Sequence, residues 1–354
     1  MTPGMEQRNM SELKGVYIVL LNWNGWRDSI ACLESLIPNI RAGARVLVCD
    51  NHSSDESLNH IQAWARHERS AGISQHPRLA ALQAKGQERP VTQRISRREA
   101  EAGLADPDAE LILVDNGGNL GFAAGNNVGL RFALAQEDMQ HVWLLNNDTL
   151  VEANCLPQML NRLQAHNRPA VCGSVIHFFD DPSIIQCIGG NRFDALRGRA
   201  LESEGRYLEE GAMPDVGTIE RQLDYLTGCS MLLPRSFLET VGLMNEAYFL
   251  YYEEIDWFTR AARRFDLLVA DGAHLYHREG GSIGSRSWNR GPSLISDQYM
   301  FRSRMHFMRS YYPRDLWRCT LSNWLDVVKR VVKGQWRNAA VIARELNRPS
   351  VEAQ

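Results

Sequence analysis

The chain has 354 residues, 44% of them hydrophobic, enough for a full-size core and incompatible with a miniature fold held together by disulfides. Its 39 Lys and Arg against 42 Asp and Glu leave a formal charge of -3, so no chain-wide basic field supports nucleic-acid binding. The 7 cysteines are odd in number and form no Cys-x-x-Cys pair, and they read as reduced, mostly buried small hydrophobes of a cytosolic protein.

The first apolar run, residues 16–21 (VYIVLL), is too short for a signal-peptide core or a membrane span, and predicts no exported or spanning topology. It and residues 45–50 (RVLVCD) are β-branched runs with polar ends, the pattern of buried parallel strands. Between them, Ile30, Leu33, Leu36 and Ile37 recur at helical spacing, with Asp28 or Ser29 as N-cap and Pro38 as the stop. Strands at 111–114 (LILV) and 142–146 (VWLLN), with a helix over 123–135 between them, repeat the unit. This alternation predicts a doubly wound α/β sheet with ligands at the carboxyl ends of its strands. Residues 66–108 are polar and read as an inserted, partly helical excursion. Short strand-like segments punctuated by glycines fill 170–233, followed by a helix over 253–264 and a strand pair at 267–270 and 274–277.

Four segments carry polar chemistry to strand ends or helix starts. Asn22-Trp23-Asn24-Gly25 and Asp50-Asn51-His52-Ser53 end the first two strands, where a carboxylate and small polar groups suit a base or ribose; alone, each is equally an Asx-turn. Asn119-Leu120-Gly121, with Gly125, Asn126 and Asn127, opens a helix whose N-terminus could approach a nucleotide, or simply pack tightly. The spacing is not G-x-G-x-x-G, which counts against a nicotinamide-dependent oxidoreductase. Asn146-Asn147-Asp148 places one carboxylate beyond a buried strand, suited to a hard divalent cation or to a turn cap. Tyr251-Tyr252-Glu253-Glu254-Ile255-Asp256-Trp257 sets three carboxylates among aromatics. Adjacent acids diverge on a helix, so this pattern suits a single general base, or solvated charges at a helix N-terminus.

In this order the motifs resemble the family 2 GT-A glycosyltransferases, in particular the rhamnosyltransferase-like branch that builds bacterial surface polysaccharides. The matching pieces are IVLLNWNG (18–25), VCDNHSSD (48–55), NLGFAAGNNVGL (119–130), LLNND (144–148), LTGCSMLLPR (226–235), VGLMNEAYFLYYEEIDW (241–257), and His277 with Gly280-Gly281-Ser282. The resemblance implies a GT-A, Rossmann-like mixed α/β sheet flanked by helices over residues 1–290, with a nucleotide-binding half at 14–150 and an acceptor half at 151–290. A C-terminal helical extension at 291–354 would follow. It implies an inverting transfer from a dTDP- or UDP-sugar to a saccharide or lipid-linked acceptor. Asp50 with Asn22, Asn24, Asn51 and Ser53 would hold base and ribose, and Asn119, Gly121, Gly125, Asn126 and Asn147 would lie along the nucleotide. Asp148 and His277 would bind Mg or Mn, Glu254 would be the base with Asp256 as second choice, and Tyr251, Tyr252 and Trp257 would offer flat surfaces to a sugar or apolar acceptor group, or pack in the core in at least one case. Two departures stand out: Asn146-Asn147-Asp148 replaces the usual D-x-D, and Glu254 stands where Asp is usual. The first leaves a catalytically weak nucleotide-sugar-binding module as the alternative.

The C-terminal region is basic, with Trp317, Leu321, Trp324, Val328 and Val331 at helical spacing beside Arg318, Lys329, Arg330, Lys333 and Arg337. The pattern fits an amphipathic helix on an anionic membrane surface, or one packed on the domain or in a homodimer interface. The expectation is a cytoplasmic protein, peripheral on the inner face of the cytoplasmic membrane.

Overall fold

The structure is a computed structural model that describes residues 13–348 apart from 71, 73, 84–87, 203–204 and 279–292. The elements run β1 (Val16–Asn22), α1 (Trp26–Arg41), β2 (Arg45–Asp50), α2 (Ser57–Ala65), α3 (Pro77–Leu82), β3 (Thr92–Ser96), α4 (Arg97–Glu101), β4 (Leu111–Asp115), α5 (Gly121–Ala135), β5 (His141–Asn146), β6 (Thr149–Val151) and α6 (Cys155–Gln164). They continue β7 (Ala170–Phe178), β8 (Ile185–Ile188), β9 (Gly190–Asp194), β10 (Arg199–Leu201), a 3-10 turn (Glu210–Ala212), α7 (Val216–Glu220), β11 (Tyr225–Leu226), β12 (Ser230–Pro234) and α8 (Arg235–Val241). After α9 (Glu253–Ala261) and β13 (Asp266–His277) come α10 (Leu294–Tyr311), a second 3-10 turn (Pro313–Asp315), α11 (Leu316–Val332) and α12 (Trp336–Leu346).

The main sheet has the order β3-β4-β2-β1-β5-β12-β7-β13-β6. Its first five strands are mutually parallel, and β12 enters antiparallel to β5 and β7. Alternation along the strands divides the core into two layers. Tyr17, Val19, Leu47 and Cys49 face the layer shared with α5, α8, α9 and the C-terminal helices, whereas Ile18, Leu20, Val46 and Val48 face α1, α2 and α6. Both faces are covered, which is why these strands read as continuous apolar runs.

Close packing of α5 rests on its glycines. A Cβ at Gly125 would stand 2.6 Å from Leu21 Cδ1, and one at Gly129 2.6 Å from Val19 Cγ1, so the helix backbone lies directly on β1. Three expectations need correction. Pro38 lies inside α1, which runs on to Arg41 because burial of Ile37 and Ile40 outweighs the hydrogen bond that proline cannot donate. The polar excursion at 66–108 contributes β3, a true edge strand paired with β4; only Ile95 of its five residues is buried, so no apolar signal marked it. The strand pair near 267–277 is one strand, β13, whose register on β7 shifts between Ala270 and His274.

Candidate active site

A cavity of about 520 Å³ opens where β1, β2 and β5 end, lined among others by Asn51, Asn119, Gly121, Asp148, Gly228, Glu253, Glu254 and His277. The polar motif residues divide into those that hold its walls and those that face it.

The walls are knitted by hydrogen bonds. Asp50 accepts from Asn22 Nδ2 at 2.6 Å, from Ser53 Oγ at 2.6 Å and from the Ser53 N–H at 2.9 Å, so this buried carboxylate is fully engaged and lies behind the lining. Asn22 in turn accepts from Ser29 Oγ and from Asn147 Nδ2, tying β1, α1 and the end of β5 together. Asn24 adopts φ 51 and receives the Ser54 N–H, forming a turn. Asn51 does reach the cavity: its Nδ2 donates to the Gly121 carbonyl at 2.9 Å and its Oδ1 accepts from Asn116. The start of α5 is already occupied, since the Gly121 N–H donates to Asn119 Oδ1 and the Phe122 N–H to the Phe249 carbonyl. Gly125 packs on β1, and Asn126 returns its amide to the Phe122 carbonyl, so tight packing accounts for these two.

Opposing chemistry faces the cavity from β5–β6 and β13. Asp148 Oδ1 lies 3.2 Å from His277 Nε2, and this buried oxygen has no hydrogen bond among the described residues. His277 Nδ1 lies 3.0 Å from Gln186 Oε1; a neutral ring donating there would turn its Nε2 lone pair towards the Asp148 carboxylate. Two acceptors so placed require a proton or a cation between them. Burial disfavours the imidazolium, but Cys229 and Asp148 outweigh it, so the His277 pKa stands well above the ordinary histidine range. With a divalent cation in place the same two atoms would serve as ligands, so the residues fit the group. Gly280-Gly281-Ser282 lie outside the described residues.

The acidic segment arrives on strained backbone. Tyr251 (φ 66) and Tyr252 (φ 73) are consecutive left-handed residues; such residues cost on the order of 1–3 kcal/mol and cluster at functional sites. The turn they make delivers both Glu253 and Glu254 to the cavity, where divergence had been expected. Glu254 Oε1 accepts the Gly228 N–H at 3.0 Å, and any Cβ at Gly228 would stand 2.5 Å from that oxygen. Glu253 is buried and its Oε2 has no hydrogen bond among the described residues. Burial raises both pKa values, and the Glu254 charge raises that of Glu253 further.

Three expected residues point elsewhere. Asp256 is buried, bonded to Arg260 Nε at 2.7 Å and to the Tyr311 hydroxyl at 2.8 Å; being two positions beyond Glu254 turns it to the core side of α9. Trp257 packs on Phe237 and donates its N–H to the Gly242 carbonyl. Tyr252 is buried, donating to the Gly198 carbonyl and accepting from Arg304. Of the three aromatic residues expected there only Tyr251 lines the cavity, joined by Phe249 and Tyr299, whose rings stack at 4.5 Å. Sequence reasoning missed Gln186, Phe249, Glu253 and the α10 residues Gln298 and Tyr299. Phe249 and Glu253 stood within a motif.

Residues 94–199 match the family model described as glycosyl transferase family 2. The match runs from within β3 to the start of β10, and so includes Asp148. The low-salt glycan biosynthesis hexosyltransferase Agl10 of Haloferax volcanii is 27% identical over 251 residues, 71% of this chain and 62% of that protein. The chain thus covers less than two thirds of that relative's length. Among solved structures, the Pyrobaculum calidifontis mannosyltransferase PcManGT in complex with GDP-Man and Mn2+ aligns with 94% of this chain and 79% of its own, at 13% identity and a TM-score of 0.49. Residues 1–349 of S. aureus TarS align with 94% and 89%, at 11% identity and a TM-score of 0.45.

Proposed function

We propose that the protein is an inverting glycosyltransferase that moves a hexose from a nucleoside-diphosphate donor to a saccharide hydroxyl. The observation that carries this reading is one cavity lined both by the Asp148–His277 pair, whose Asp148 Oδ1 has no hydrogen bond among the described residues, and by the Glu253–Glu254 carboxylates. In the reaction, Glu254 takes the acceptor hydroxyl proton as that oxygen bonds to the anomeric carbon and the bond to the diphosphate breaks on the opposite side. The Gly228 N–H holds Glu254 Oε1, leaving Oε2 for the acceptor. Glu253, its pKa raised by burial and by the Glu254 charge, stays protonated when Glu254 is ionised, so one negative charge acts as base. Asn51 and the Asn119–Gly121 turn flank the donor, and the Phe249–Tyr299 stack offers a flat wall to a sugar ring. Mg or Mn, held by Asp148 and His277, would neutralise charge on the departing diphosphate.

The motif resemblance favours rhamnose from a dTDP- or UDP-sugar and a role in bacterial surface polysaccharide synthesis. The acceptor would be a lipid-linked saccharide met at the inner face of the cytoplasmic membrane. Exposed Trp317, Leu321, Trp324, Leu325 and Val328 on α11, beside Arg318 and Lys329, support that location. No helix among the described residues is long and apolar enough to cross a membrane. Release of nucleoside diphosphate from a panel of dTDP-, UDP- and GDP-hexoses with Mg or Mn tests the reading. Metal-dependent turnover of one donor supports it; donor binding with no turnover of any would favour the binding module suggested by the single carboxylate of Asn146-Asn147-Asp148.

A further inference from the structure

A second cluster of metal-binding side chains lies away from the cavity. His274 and Tyr276 stand on one face of β13, and Leu275 and His277 on the other. Across from them on β7, His177 is fully buried, its Nε2 2.9 Å from His274 Nδ1. Glu210, on the 3-10 turn, brings Oε1 to 3.8 Å from His274 Nδ1, and the three ligand atoms lie within 4.8 Å of one another. Ligands about 2.0–2.1 Å from a tetrahedral ion lie about 3.3 Å apart, so separations of 2.9 and 3.8 Å bracket that edge.

We propose that His177, His274 and Glu210 bind a first-row divalent transition cation, Zn2+ by preference, at a site separate from the catalytic cavity. Two imidazoles and one carboxylate suit such an ion better than Mg or Ca. His177 is held in place for it, fully buried on β7. Its Nε2 is the nitrogen that faces His274, so the ring presents that atom to the site. Arg78 donates to Glu210 Oε2 at 2.8 Å and more distantly to Oε1 at 3.3 Å, orienting the carboxylate as an outer partner of a ligand. Its charge is offset by Glu152, 3.3 Å away, which also accepts from the Tyr276 hydroxyl. The ion would fasten the 3-10 turn to β7 and β13, on the face of β13 opposite His277.

The test uses tag-free Asp148→Ala protein, in which the cavity site is disabled, stripped with EDTA and titrated with Co2+ while its visible d–d absorption is followed. The site predicts one equivalent bound, displaced by Zn2+, and a raised melting temperature. His274→Gln and Glu210→Gln should each weaken binding by more than about 100-fold, beyond the roughly 10–100-fold of losing an outer partner. Glu210 is half-buried on a surface turn, so its isosteric variant keeps the test open if the histidine variant fails to fold. No Co2+ uptake by the Asp148→Ala protein, or equal uptake by folded Glu210→Gln, would overturn the assignment. Because no nucleotide sugar is present, the result is independent of the transfer reaction.

Discussion

The strand ends of the parallel half and the α9 segment carry polar motifs of similar density, yet they use them differently. At the ends of β1 and β2, Asn22, Asp50 and Ser53 satisfy one another, and their side chains form the wall. At α9 the carboxylates of Glu253 and Glu254 are delivered into the cavity, and one buried oxygen is left without a partner. Asp148, at the β5–β6 turn, behaves like the second group. Leaving a buried acceptor unpaired costs on the order of 1–3 kcal/mol, so a fold retains such atoms where a ligand, proton or ion completes them.

The sharpest way to break this contrast is Glu254→Gln. The amide preserves shape and can keep the Gly228 contact but cannot take a proton, so turnover should fall roughly 10²–10⁴-fold with donor affinity nearly unchanged. Wild-type activity should also carry an acid limb. The base works ionised, and because burial raises the Glu254 pKa, kcat/KM should decline as pH falls through a midpoint above its ordinary value. Normal turnover in the variant, or a midpoint below the ordinary carboxylate range, would remove Glu254 from the role.

Next in size is the difference between neighbours in Asn146-Asn147-Asp148. Asp148→Ala should weaken metal-dependent donor binding by about 10–100-fold, with His277→Ala milder, because carboxylate, cation and diphosphate form one charged unit. Asn147→Ala should instead lower stability by about 1–3 kcal/mol, since its amide bridges Asn22 and Ser29, while metal titration stays unchanged. An Asn147 variant with a shifted metal midpoint and an unchanged melting temperature would invert the assignment.

Asp256 sharpens the same point within one helix. Replacing it with Asn should cost about 2–3 kcal/mol, less than the roughly 3–5 of a fully buried pair because the Arg260 side chain is 27% exposed. Turnover per folded molecule and the acid limb should persist. If Asp256→Asn stays folded and loses the limb, Asp256 is the base after all.

Much of this was legible beforehand, for identifiable reasons. Parallel strands buried on both faces announce themselves as apolar runs, so β1, β2, β4 and β5 were readable within a residue or so, and the cavity falls at their carboxyl ends. Edge strand β3, with the sequence Thr-Gln-Arg-Ile-Ser, had no such signal. Periodicity could not say which acid of Glu-Glu-Ile-Asp faces the cavity, because two left-handed tyrosines set the helix entry angle. Gln186 touches His277 only through the pairing of β8 with β7, a contact 91 residues apart in the chain that no local pattern encodes. The basic tail was half understood: Arg302 is spent on Glu345 and Arg330 on Asp297, inside the helical extension.

What remains outside on that extension sets the smallest prediction. Trp317, Leu321, Trp324, Leu325 and Val328 stay 40–63% exposed on α11 while Cys319, Asn323 and Val327 are buried on its inner side. An apolar stripe of this size on a surface helix calls for a partner. Tryptophans favour a membrane interface and the flanking cations favour anionic lipid, so vesicles containing phosphatidylserine should bind the full chain better than neutral ones. Binding should weaken as salt shortens the roughly 10 Å screening length found at 0.1 M. Trp317→Ala with Trp324→Ala should reduce it several-fold while donor hydrolysis is unchanged, since neither residue lines the cavity. If the full chain instead ignores vesicles and sediments as a dimer that the double variant splits, the stripe is a subunit interface, and the lipid-linked acceptor loses its structural support.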